Sequence, residues 1–127
     1  MTNSTNHKPR GAFAFLTGFV YAFKGVYFLM SSQRNVWVHI VATLLVVFGG
    51  FYYSVSAGEW HAIILSIGIV FAAEAFNTAI EELVNKVYPG YDKSAGRIKD
   101  LAAGAVLFTA IAAAIIGFII FVPKIFT

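Results

Sequence analysis

Residues 101–122 read LAAGAVLFTAIAAAIIGFIIFV, a run in which Thr109 is the one polar side chain and which stops at Pro123. A bilayer's hydrocarbon core is about 30 Å thick and takes around 20 helical residues to cross. This run is therefore read as a transmembrane helix. Residues 36–55 make a second such stretch, with His39 and Thr43 near one end. Residues 60–81 make a third, interrupted by Ser66, Glu74, Asn77 and Thr78. A β-barrel is excluded, because its strands alternate over segments of about ten residues and need far more chain.

Composition agrees. Of the 127 residues, 59% are hydrophobic and 12% charged, against about 25% charged in soluble domains. So short a soluble monomer could not hide that much apolar surface. The net charge of +3 is spread among apolar runs and makes no phosphate-tracking stripe, so nucleic acid is not an expected partner. The chain has no cysteine, which removes disulfides and thiolate metal sites.

Ahead of these spans, residues 1–10 form a polar start expected to be flexible, and residues 11–32 read as a helix. Phe13, Leu16, Val20, Phe23 and Tyr27 recur at three- and four-residue intervals around Lys24, which suits an amphipathic helix lying in the membrane surface with Lys24 at the headgroups. The alternative is a fourth span, which would carry the insertion cost of a central lysine. Basic residues set the orientation. Lys8, Arg10, Lys24 and Arg34 precede the first span, and Lys86, Lys93, Arg97 and Lys99 lie between the second and third. The connection between the first two spans has none, and the tail has Lys124. The N-terminus and the 82–100 loop are therefore expected on the cytoplasmic side. The fold class is all-α: three transmembrane helices and an N-terminal surface helix in one domain.

The second span carries the chemistry. Glu74, Asn77, Thr78, Glu81 and Asn85 stand at helical spacing along one face, with Ala73, Ala75, Phe76, Ala79 and Ile80 apolar around them. Ionisable groups in a span are costly and point to a site. A packing seam accounts for Asn77 and Thr78 but poorly for two acids. Oxygen ligands without cysteine or a histidine partner favour a hard ion such as Mg²⁺, which arrives with phosphates and takes one or two carboxylates. A second block, Gly96-Arg97-Ile98-Lys99-Asp100 followed by Leu101-Ala102-Ala103-Gly104-Ala105, sets Lys99 and Asp100 at the membrane boundary. Its cations suit nucleotide phosphates, or are ordinary positive flanks. None of the usual soluble nucleotide-binding motifs occurs.

The octet Glu74-Ala75-Phe76-Asn77-Thr78-Ala79-Ile80-Glu81, followed by Gly96-Arg97-Ile98-Lys99-Asp100 and a small-residue helix, resembles the prokaryotic diacylglycerol kinase family, which includes the undecaprenol kinases. The likeness runs from about residue 23 to 122 and takes in Lys24-Gly25 and the Asn35–His39 approach to the first span.

The resemblance implies a homotrimer that transfers the γ-phosphoryl group of ATP to a lipid hydroxyl at the cytoplasmic face of a bacterial inner membrane, using Mg²⁺, in sites shared between subunits. It implies Glu74 as general base and Asn77 as its support. Glu81 and residue 33 would be metal ligands, and Lys99, Asp100, Lys24 and Tyr21 would bind the nucleotide. Three positions depart from the family pattern: Gln33 replaces a common glutamate, Asn85 a usual aspartate, and Phe76 a usual aliphatic residue. Undecaprenol is the expected lipid, with diacylglycerol as the alternative. A non-catalytic membrane module with weakened metal binding is the reading from another class.

Overall fold

The computed structural model describes residues 11–32 and 34–127. The flexible start expected over residues 1–10, and Gln33 with its expected metal role, lie outside the described residues. Two units are distinguished, Met1–Ser32 and Gln33–Thr127, and each is described by itself.

In the first unit α1 spans Ala12–Ser32. It starts after Gly11, whose φ of 80° is open to glycine at no steric cost and whose carbonyl accepts from the amides of Ala14 and Phe15. Thr17, Ser31 and Ser32 turn their hydroxyls back onto carbonyls of the same helix, so their polar groups do not demand water. Phe15, Phe19, Tyr21, Phe23 and Tyr27 are all exposed.

The second unit is helical throughout, with α2 at Arg34–Tyr52, α3 at Ala57–Val87 and α4 at Lys93–Ile125. The starts of α3 and α4 are written locally. Ser56 caps α3 by accepting from the Glu59 amide at 3.2 Å, while the Glu59 carboxylate accepts from the Ser56 amide at 2.8 Å. This reciprocal box satisfies two donors that a helix start leaves open. Asp92 caps α4 through the Ala95 amide at 2.8 Å. Pro123 sits inside α4, two residues before its end, so the helix runs past the point where the apolar stretch stops. There the missing N–H costs a single backbone bond. At 31 and 33 residues, α3 and α4 are about 46 and 50 Å long, more than one hydrocarbon thickness. Both therefore carry a turn or more beyond it.

α3 packs along α4, and α2 packs on α3. The buried cluster sits where α2 turns into α3. Val55, Ile63 and Ile120 are its centre, with Trp60, Tyr53 and Phe121 against it. Two glycines admit the aromatic rings. A Cβ on Gly50 would stand 2.6 Å from the Trp60 ring, and one on Gly49 would stand 3.1 Å from Phe121. Lys124 near the end of α4 donates to Glu59 at 2.9 Å, closing the same end.

Outward, the molecule is apolar. Leu44, Leu45, Phe48, Ile64, Leu65, Phe108, Phe118 and Ile119 are all more than half exposed. An apolar surface of this extent belongs against lipid or other protein. All four helices are long and apolar enough to cross a membrane, α1 included.

Candidate active site

Glu74 lies on the inner face of α3, its side chain 7% exposed, and its Oε1 is 2.8 Å from Nε2 of His39 on α2. Phe71, one turn before Glu74, meets the imidazole at a steep angle, with ring centroids 6.4 Å apart. The sequence reading gave the acidic face no histidine partner, and the structure corrects this. The signal was available: His39 is an ionisable residue in an apolar run, the same criterion that singled out Glu74. What the sequence does not hold is the crossing of α2 over α3 that brings the two together.

One turn further, Asn77 Nδ2 donates to Glu81 Oε1 at 3.3 Å. Asn77 Oδ1 and Thr78 Oγ1 are buried with no hydrogen-bond partner, although buried polar atoms are nearly always paired. Asn77 also borders a hollow shared with Ala102, Ala105 and Thr109 of α4. At the far end of the polar face Lys99 of α4 donates from Nζ to Asn85 Oδ1 at 3.1 Å. Asp100 is exposed and borders a shallow hollow on α4 with Arg97, Leu101 and Gly104. On α1, the Lys24 ammonium stands 5.4 Å from the centre of the Tyr21 ring, a cation–π pair one turn apart.

The polar face is thus divided. Glu74 belongs with His39, Asn77 with Glu81, and Asn85 with Lys99. Glu74 and Asn85 are eleven positions apart on α3, which is about 16 Å of helix, so a Lys99 that holds Asn85 stands well away from Glu74 of its own chain. An apolar cavity of about 240 Å³ opens between α2, α3 and α4 beside His39, bordered by Thr43, Ser66, Ile67, Phe71 and Gly117.

The family model described as prokaryotic diacylglycerol kinase matches residues 20–121, a stretch that holds every one of these pairs. The chain belongs to that family. It is 39% identical over 110 residues to undecaprenol kinase of Bacillus subtilis, covering 87% of this chain and 89% of that protein. It is 35% identical over 109 residues to a diacylglycerol kinase of Synechocystis, covering 85% of this chain and 62% of that longer relative. With diacylglycerol kinase of Escherichia coli K12 it shares 31% identity over 106 residues, covering 78% of this chain and 87% of the relative. The protein is a lipid kinase of the membrane.

For a lipid kinase the geometry has a plain chemical reading. A carboxylate with one oxygen committed to an imidazole and the other unengaged can accept a proton from a hydroxyl brought to it by an apolar substrate. No group of three or more metal-binding acids or histidines occurs among the described residues. The oxygen donors that could take part in holding an ion are the Glu81 carboxylate and the unpartnered carbonyl oxygen of Asn77. Such a sparse oxygen set fits Mg²⁺, which keeps waters and takes phosphate oxygens for most of its shell.

Proposed function

We propose that this lipid kinase transfers the γ-phosphoryl group of ATP to the hydroxyl of undecaprenol at the cytoplasmic face of the bacterial inner membrane, as a homotrimer. The observation that carries the reading is the buried Glu74 carboxylate, held by His39 through one oxygen within a helix able to cross the membrane. Undecaprenol is favoured over diacylglycerol because the Bacillus subtilis relative shares more of this chain's sequence than the Escherichia coli diacylglycerol kinase does.

In this reading Glu74 takes the proton of the lipid hydroxyl as that oxygen bonds to the γ-phosphorus. The bond from the γ-phosphorus to the bridging oxygen breaks, and ADP leaves with the electron pair. Phosphoryl transfer asks a protein mostly for positioning and charge neutralisation. Lys99 and Lys24 supply positive charge to the phosphates, while Asp100 and Tyr21 contact the nucleotide. Glu81, with the Asn77 carbonyl oxygen, would hold Mg²⁺. When bound, that ion neutralises charge on the phosphate oxygens.

The same geometry supports the proposed assembly. The 16 Å of helix estimated between Glu74 and Asn85 suits a site in which the phosphate-binding Lys99 comes from a neighbouring subunit. The small residues Ala102, Ala103, Gly104 and Ala105 let helices approach closely. The basic flanks place the N-terminus and the 82–100 loop in the cytoplasm. α1 lies on the surface, because Lys24 at the middle of a span would cost about 2.5–3.5 kcal/mol.

The test is an assay of the purified protein in vesicles containing undecaprenol or diacylglycerol, with labelled ATP and Mg²⁺, resolved by thin-layer chromatography. Faster labelling of undecaprenol is expected. Preference for diacylglycerol would reverse the choice of substrate and leave the kinase intact.

A further inference from the structure

His39 has no part in the reading above beyond touching Glu74, yet its setting is specific. Its hydrogen bond to Glu74 is the one side-chain bond among the described residues that joins α2 to α3. The imidazole is 20% exposed, lies against Phe71, and borders the apolar cavity between the three helices. An ionised carboxylate can only accept hydrogen bonds. For Glu74 to await a proton, the imidazole nitrogen 2.8 Å from Oε1 must therefore be the donor, with its proton on Nε2.

We propose that His39 is a positioning residue for phosphoryl transfer, its Nε2–H holding Oε1 of Glu74 so that Oε2 is the oxygen presented to the lipid hydroxyl. This rests on Glu74 being the proton acceptor. A free glutamate has three side-chain torsions to settle, and one charge-assisted hydrogen bond at its tip removes most of that freedom. Steep contact with Phe71 does the same for the imidazole. As the hydroxyl proton arrives on Oε2, Oε1 becomes the carbonyl oxygen of a neutral acid and still accepts from Nε2. The bond thus persists through the step, and His39 neither gains nor loses a proton. The cavity beside His39 gives an apolar substrate a place next to this oxygen.

The experiment compares His39→Leu, His39→Gln and Glu74→Gln of the full chain, reconstituted in vesicles and assayed with the lipid that the wild type phosphorylates. Losing one hydrogen bond to a charged group should lower the kcat of His39→Leu by about ten- to hundredfold, with the KM for ATP unchanged. Glutamine extends an amide N–H toward the position of Nε2, so His39→Gln should return to within about threefold of wild type. A merely structural tie would instead show as a lowered melting temperature with kcat per assembled enzyme unchanged. If His39→Leu does not assemble, His39→Asn, which is too short to reach Oε1, supplies the same contrast with His39→Gln. A His39→Leu enzyme with wild-type kcat beside an inactive Glu74→Gln would overturn the proposal alone. So would a His39→Gln no faster than His39→Leu. An active Glu74→Gln would overturn the reading of Glu74 itself.

Discussion

At the Trp60 end of the three-helix unit, Val55, Ile63 and Ile120 are buried together, aromatic rings fill the space above two glycines, and Glu59 has both Ser56 and Lys124. At the Glu74 end, the same α3 buries a carboxylate, and Asn77 and Thr78 each leave an oxygen without a partner. One end is packed and satisfied. The other leaves buried polar atoms unpaired. The difference separates the part of the chain that holds the helices together from the part to which the proposed function assigns the chemistry. It also makes the two ends respond differently to mutation.

The largest of the expected contrasts is at Lys99. Removing one charge aimed at a transferring phosphate typically costs about 10²–10³ in rate, and Lys99→Ala is expected to fall in that range without a change in melting temperature. Because Lys99 of α4 is held at Asn85, eleven positions along α3 from Glu74 of the same chain, mixing inactive Lys99→Ala subunits with inactive Glu74→Gln subunits should restore part of the turnover. Absence of recovery in demonstrably mixed oligomers would put both residues in one chain's site.

A smaller effect, of the opposite kind, is expected at Gly50. Alanine there gains about 1 kcal/mol of helix propensity, but its Cβ would meet the Trp60 ring at 2.6 Å, and that ring also lies against Phe51 at 4.9 Å between centroids. Overpacking of this sort costs about 1–3 kcal/mol, so the overlap is expected to win. Gly50→Ala should melt several degrees lower by circular dichroism in detergent, with turnover per folded enzyme unchanged. Combining it with Trp60→Phe should recover part of the loss. Lost turnover at full stability would erase the division between the ends.

The smallest effect is at Glu59. The Lys124 hydrogen bond, followed by the Ser56 amide, holds its carboxyl below the usual range. A group whose pKa is lowered by folding stabilises the fold above its unfolded pKa and loses that contribution as pH falls through the folded value. Glu59→Gln should therefore melt slightly below wild type at neutral pH, and the gap should close in acid below the usual carboxylate range. A gap that persists there would mean that charge is not what Glu59 contributes.

How much of this was legible beforehand differs along the chain. The 101–122 run announces α4 because a bilayer needs that length of apolar helix, whereas the start of α3, read from hydropathy at residue 60, lies at Ala57 behind the Ser56–Glu59 cap. α3 and α4 outrun the apolar stretches at 81 and 101, since hydropathy marks the membrane and not the helix. α3 continues to Val87, and α4 begins at Lys93. The acid-bearing face of α3 was readable from spacing alone, because period 3.6 gathers Glu74, Asn77, Thr78 and Glu81 whatever the tertiary fold. The pairing of His39 with Glu74 and of Lys99 with Asn85 was not. Each joins two helices, and contact between helices depends on a crossing geometry that no local pattern encodes. Asn85, noted in the sequence as a lost negative charge, proves to be the acceptor for Lys99.

The central claim is that the buried carboxylate of α3 accepts the substrate proton while the Trp60 end carries the stability. Glu74→Gln, assayed for lipid phosphorylation and melted in the same preparation, tests both halves at once. The amide keeps the shape and can still accept from His39 through its carbonyl oxygen, but it cannot take a proton. Turnover is expected to fall by at least about 10²-fold with oligomeric state and melting temperature at wild-type values. A Glu74→Gln enzyme that phosphorylates lipid at a near-normal rate would contradict the account.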